Sequence, residues 1–125
     1  MASITLKKGR EKSLRRRHPW IFSGAVATAQ GLSKPGETAE IRSHDDALLA
    51  RAAWSPSSQI TARVWSFNAE ESVSPDFFYS RLDRAVRLRQ RLGLSEPAGA
   101  CRLVNAESDG LPGLIVDRYA DYLVC

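Results

Sequence analysis

Between residues 8 and 18 the chain sets Lys8, Arg10, Lys12, Arg15, Arg16, Arg17 and His18 against one acid, Glu11. An arginine carries five N–H donors in a rigid fork that fits phosphate oxygens in pairs, and its plane stacks on bases; a lysine adds a compact charge. The chemistry these residue types offer is the binding of a polyanion. The net charge is only +4, but it is gathered at one end of the chain, where it raises the local potential. A solvated basic face without a partner has the same composition, so charge by itself leaves both readings open. His18 stands before Pro19. It either meets phosphate or caps the end of a helix, where an imidazole suits the dipole.

Other reactive residue types are scattered. Two cysteines, Cys101 and Cys125, and two histidines, His18 and His44, lack the paired spacing of a zinc site. Nothing beside either cysteine resembles an activated thiolate, so both are expected as packing residues. Asp109, Asp117 and Asp121 suggest paired-carboxylate chemistry. Asp109 and Asp121, however, fall in turn sequences, where aspartate bonds to nearby backbone, and all three are read as structural. No nucleophile–base pair or metal set remains, so no catalysis is expected of this chain. Trp20, Trp54 and Trp65 could stack on bases, yet large aromatics are mostly buried, and core packing is the expected role. Trp65 is ambiguous because it shares a strand face with Arg63, which makes Arg63 a further candidate contact.

The elements that must position these residues follow from pattern. Ile4–Leu6 predicts a first strand. Arg10–His18 favours a helix with Leu14 as its one apolar anchor, ended by Pro19 and pinned by Trp20-Ile21-Phe22. A loop around Gly31 leads to the turn Lys34-Pro35-Gly36-Glu37. Strands are then predicted at Thr38–Arg42, Leu48–Trp54 and Gln59–Phe67. In the last of these Ile60, Ala62 and Val64 face one side and Thr61, Arg63, Trp65 and Phe67 the other. Short strands between polar turns suggest a small β-barrel or an open sandwich.

The character changes near residue 70. Ser74-Pro75-Asp76 is a helix start: an N-cap serine, proline at the first position, and an acid by the positive dipole end. Phe78, Leu82, Ala85, Leu88 and Leu92 recur at helical spacing, and Gly93 is placed to end the helix. A dense turn at Asp109–Gly113 precedes the strand Leu114–Arg118, and Tyr122–Cys125 returns from it. The last strand is apolar and unpaired in sequence, so a further domain is expected to follow, and the exposed hairpin is expected to seek an edge in another copy. Hydrophobic residues make up 43% and charged residues 26%, an ordinary globular balance. No apolar run is long enough to span a bilayer, and the N-terminus lacks the apolar core of a signal peptide. A cytoplasmic protein with no membrane partner is the expectation.

Three blocks in order carry a resemblance. Gly9-Arg10-Glu11-Lys12-Ser13-Leu14 through Arg17-His18-Pro19-Trp20-Ile21-Phe22-Ser23-Gly24-Ala25-Val26 is the first. Ser55-Pro56-Ser57-Ser58-Gln59-Ile60 with Ala62-Arg63-Val64-Trp65-Ser66-Phe67 is the second. Glu107-Ser108-Asp109-Gly110-Leu111-Pro112-Gly113-Leu114 with Val116-Asp117-Arg118 is the third. Together they resemble the bacterial ribosomal RNA large subunit methyltransferase I family.

The resemblance implies a mainly β, α+β chain. Residues 1–70 would form a PUA-like RNA-binding barrel, 71–100 a connector helix and loop, and 101–125 the start of a central α/β domain. It implies a parent enzyme that methylates carbon 5 of a cytosine in large-subunit ribosomal RNA with S-adenosylmethionine, using a domain C-terminal to this chain. The chain itself lacks the glycine-rich strand–turn–helix that a cofactor of this kind needs, so no cofactor site is expected in it. The implied partners are large-subunit ribosomal RNA and that catalytic domain. The implied RNA contacts are Lys8, Arg10, Lys12, Arg15, Arg16, Arg17, His18 and, more weakly, Arg63. The alternative is a structural module that docks the catalytic domain and has little RNA affinity of its own.

Overall fold

The computed structural model describes residues 1–125, which divide into two units, Met1–Val73 and Ser74–Cys125. In the first, alternating short strands form one sheet. They are β1 (Ser3–Leu6), β2 (Trp20–Phe22), β3 (Val26–Gln30), β4 (Thr38–Arg42), β5 (Leu48–Trp54) and β6 (Ile60–Ser66), with the helix α1 (Lys12–Arg15) between β1 and β2. The order across the sheet is β2-β6-β5-β4-β1-β3. Only β1 and β4 run parallel. The pairings β1–β3, β2–β6, β4–β5 and β5–β6 each contain a register shift. Such bulges bend a strand and increase its twist, and the sheet curls into a half-barrel.

The core lies inside this curl. Ile4, Leu6, Leu14, Ile21, Ile41 and Val64 fill it, with Ala39, Ala50, Ala52 and Ala62 where strands approach closely. Each of the larger side chains contributes about 1.5–3 kcal/mol by leaving water. On β6 the alternation runs as its sequence dictates: Ala62 and Val64 are buried, while Thr61, Arg63 and Trp65 are half-buried. Glu40 is buried on β4 and held by Arg42 at 2.7 Å and Arg51 at 3.8 Å.

Three local readings change. The basic helix is one turn long and does not reach His18, because Arg17 leaves the helix with φ +64°. Of Trp20-Ile21-Phe22 only Ile21 pins the segment; Trp20 and Phe22 are exposed on a strand. A strand, β3, precedes Gly31 where a loop was expected.

The second unit holds the helix α2 (Pro75–Arg91) and a three-stranded antiparallel sheet, β7 (Ala100–Asn105), β8 (Ile115–Tyr119) and β9 (Tyr122–Val124). The hairpin read from the sequence is β8–β9, and β7 adds a strand on its other side. Ser74 Oγ accepts the Phe77 N–H at 3.4 Å, as an N-cap should. Phe77 and Ala85 of α2 are buried, as are Val104 and Leu111. Arg89 grips both oxygens of Asp109, at 2.6 and 2.8 Å, and Asp109 also accepts the Asn105 N–H at 2.7 Å. Arg102 binds Asp117 across β7–β8. Both aspartates are thus structural. Cys101 is half-buried, but Cys125 is exposed and does not pack. No helix is long and apolar enough to cross a membrane.

Candidate nucleic-acid interface

The basic residues are organised from one buried side chain. Leu14 is the only buried residue of α1 and plugs the core, which leaves Lys12, Arg15 and Arg16 exposed. The helix then stops through backbone bonds alone. The Arg17 N–H donates to the Leu14 carbonyl at 2.9 Å and the His18 N–H to the Ser13 carbonyl at 3.0 Å. This is the Schellman pattern, whose left-handed position usually belongs to glycine. Here it belongs to Arg17, whose guanidinium lies 5.7 Å from the centroid of the Phe67 ring. Pro19 then meets β6 through its carbonyl, which accepts the Val64 N–H at 2.8 Å.

The next three residues alternate. Ile21 points into the core, and Trp20 and Phe22 point out, 38% and 49% exposed. Trp20 stands opposite Arg63 in the β2–β6 ladder. Its backbone N–H donates to His18 Nδ1 at 3.2 Å, which leaves Nε2 as the donor nitrogen of the ring. The His18, Trp20 and Phe22 rings form an edge-to-face series at 5.8 and 6.5 Å. Beside it opens a cleft of about 590 Å³ whose lining includes Arg10, Lys12, Arg16, Arg17 and His18. None of its four cations has an acidic partner within 4.0 Å.

The expected contacts are therefore only partly brought together. Arg10, Lys12, Arg16, Arg17 and His18 share the cleft. Lys8 is exposed on the preceding turn. Arg15 is exposed outside the cleft; its charge adds a small pull on the Asp45 carboxyl, which is held low chiefly by the Ser43 hydroxyl. Arg63 donates to Ser55 Oγ at 3.5 Å and is placed beside Trp20 rather than in the cleft. Trp20, for which core packing is the expected role and base stacking the alternative, is exposed, and so is Phe22, which is expected to help pin the helix. Trp54 and Trp65 are half-buried.

Cations with no acid beside them, a donor imidazole and partly exposed aromatic rings can bind phosphate and stack bases. They do not make a cofactor cradle. β6 reaches α2 through residues 67–74, which contain no glycine, and β1 reaches only the one-turn α1. No group of three or more His, Cys, Asp or Glu is placed to hold a metal.

Comparison with known proteins adds to this geometry. Residues 4–67 match the PUA-like domain model. The chain is 57% identical over 124 residues to the ribosomal RNA large subunit methyltransferase I of Aeromonas hydrophila, covering 99% of the chain and 31% of that protein. It is 54% identical over 121 residues to that of Erwinia tasmaniensis, again 31% of its length. The chain thus spans about a third of the curated relatives it matches. Among solved structures, a Streptococcus mutans protein described as a SAM-dependent methyltransferase superposes with TM-score 0.78 at 21% identity. It covers 98% of this chain and 32% of its own. A methyltransferase complexed with SAH gives TM-score 0.79, also at 21% identity, over 98% of this chain and 31% of that one.

Proposed function

Since this chain belongs to the PUA-like domain family, we propose that it binds large-subunit ribosomal RNA through the face made by α1 and β2. In this reading it is the RNA-recruiting region of a cytoplasmic, S-adenosylmethionine-dependent methyltransferase acting on carbon 5 of a cytosine. The observation that carries the reading is the cleft of Arg10, Lys12, Arg16 and Arg17 beside the exposed Trp20 and Phe22. Folding sets no acid within 4.0 Å of these charges and leaves Trp20 38% and Phe22 49% exposed, and RNA offers both phosphate and bases. Identity above 50% to two ribosomal RNA methyltransferases supports the substrate class.

The methyl transfer and its cofactor belong, in this proposal, to parts of the relatives outside the matched 31%. The residues of this chain position RNA. Arg10, Lys12, Arg16 and Arg17 neutralise phosphates, His18 donates from Nε2, and Trp20 and Phe22 hold unstacked bases. A second reading, docking of a protein partner, draws on β9, where Tyr122, Leu123 and Val124 are all more than half exposed. That partner would be a catalytic domain or another copy of the chain.

The test is to titrate large-subunit ribosomal RNA fragments into the chain and follow backbone amide resonances. Shifts concentrated at Gly9–Phe22 and Arg63 are expected. Shifts confined to β9, or none at low salt, would contradict the proposal.

A further inference from the structure

We infer that the outward face of α2 is a second phosphate-binding stripe, formed by Arg84, Arg87 and Arg91. The inference rests on the RNA reading above but concerns a different surface. α2 carries five arginines, no lysine, and only Asp76 and Asp83 as acids. The arginines sort into two kinds. Arg81 donates to the Gly110 carbonyl at 2.6 Å and lies 4.0 Å over the Phe77 ring, and Arg89 is locked on Asp109. These two hold the unit together. Arg84, Arg87 and Arg91 line an open groove with Ser80, Asp83 and Leu88.

Folding does not explain that groove. Arg84 has Arg81 and Arg87 three residues to either side, and Arg87 has Arg91 four residues on. Like charges at these spacings repel and weaken a helix. Among the three arginines of the groove, Arg87 alone has a compensating acid, Asp83 at 2.7 Å. Neither Arg84 nor Arg91 has an acidic partner within 4.0 Å. A row of guanidinium groups kept against its own repulsion is matched by a ligand with repeating negative charge. The stripe from Arg84 to Arg91 is about 10 Å long, which spans roughly three phosphates of one strand. Leu88, 45% exposed between the arginines, gives an apolar edge for a sugar or base. The occupant assigned is the RNA backbone, because the arginine fork fits phosphate and the groove carries one acid.

The experiment is salt-titrated binding of the whole chain to large-subunit ribosomal RNA fragments, comparing wild type with the triple variant Arg84→Gln, Arg87→Gln, Arg91→Gln. Glutamine keeps helix propensity, and circular dichroism checks the fold, with Arg84→Gln alone as the milder variant. Loss of three single-strand contacts should shrink the affinity drop between about 50 and about 200 mM salt by roughly 20-fold. Arg84→Gln should shrink it by about 2.6-fold. The triple lysine variant should keep most of the salt dependence while binding more weakly. Wild-type affinity and salt dependence in the folded glutamine variants would overturn the inference and leave the α1–β2 reading standing. No salt-sensitive binding by the wild type would overturn both.

Discussion

Arg17 occupies at the end of α1 the position that Gly93 occupies at the end of α2. Both residues are left-handed, with φ +64° and +72°, and both helices close with the same pair of bonds. Gly93 donates to the Gln90 carbonyl and Leu94 to the Arg89 carbonyl, as Arg17 and His18 do to Leu14 and Ser13. Glycine adopts this conformation without cost, whereas an L side chain loses about 1–2 kcal/mol. The chain accepts that cost at Arg17, in the proposed interface.

Replacing Arg17 separates backbone from side chain. Arg17→Gly should be more stable than Arg17→Ala by about 1 kcal/mol, because only the alanine keeps the left-handed strain. Both should lose RNA affinity alike. Urea unfolding followed by tryptophan fluorescence, together with RNA titration, measures the two effects. Equal stability of the two variants would remove the strain argument.

Trp20 and Phe22 should matter to binding and little to folding. Trp20→Ala should weaken single-stranded RNA binding by about 1–3 kcal/mol if one base stacks on the ring. Wild-type tryptophan emission should be quenched by RNA and that of Trp20→Ala much less, since Trp54 and Trp65 are half-buried. Quenching unaffected by the substitution would place the stacking elsewhere.

The Arg89–Asp109 pair should govern the acid stability of the second unit. Arg89 first, and then the Asn105 amide, hold the Asp109 carboxyl below its usual range. A depressed carboxyl stabilises the fold above its unfolded pKa, and that contribution is lost as pH falls through the folded value. The unit should therefore be steady above about pH 4 and weaken below it. Arg89→Ala leaves a nearly buried carboxylate without its partner and should cost about 3 kcal/mol. Amide exchange in β7 and β8 is the readout, because all three tryptophans lie in the first unit. Arg102→Ala, at a more exposed pair, should be much milder.

Much of this was legible in the sequence, and the failures have physical causes. The cap at Ser74, the stop at Gly93 and the inward Ala62 and Val64 follow from local propensity and period two. β2 was obscured because it is three residues long and its register shifts between Ile21 and Phe22. β3 was obscured because Ala27 to Gln30 are exposed, so no hydrophobic alternation marks them. The early stop of α1 depends on backbone bonds made by a non-glycine residue, which composition does not announce. The Arg89–Asp109 contact joins residues 20 apart in sequence, and only the packing of α2 brings them together. The basic segment was visible as charge. That Arg16 and Arg17 share a cleft whose lining leaves Arg15 out required the three-dimensional arrangement.

The most direct test of the central claim is the salt dependence of RNA binding in the triple variant Lys12→Ala, Arg16→Ala, Arg17→Ala, with Arg15→Ala as comparator. Wild type should bind large-subunit ribosomal RNA fragments with an affinity that falls steeply with salt. The triple variant should bind weakly, with its log–log slope reduced by about 2, or 0.7 for each lost phosphate contact on a single strand. Arg15→Ala should change little. A folded triple variant with wild-type affinity and slope would contradict the assignment of this face to RNA.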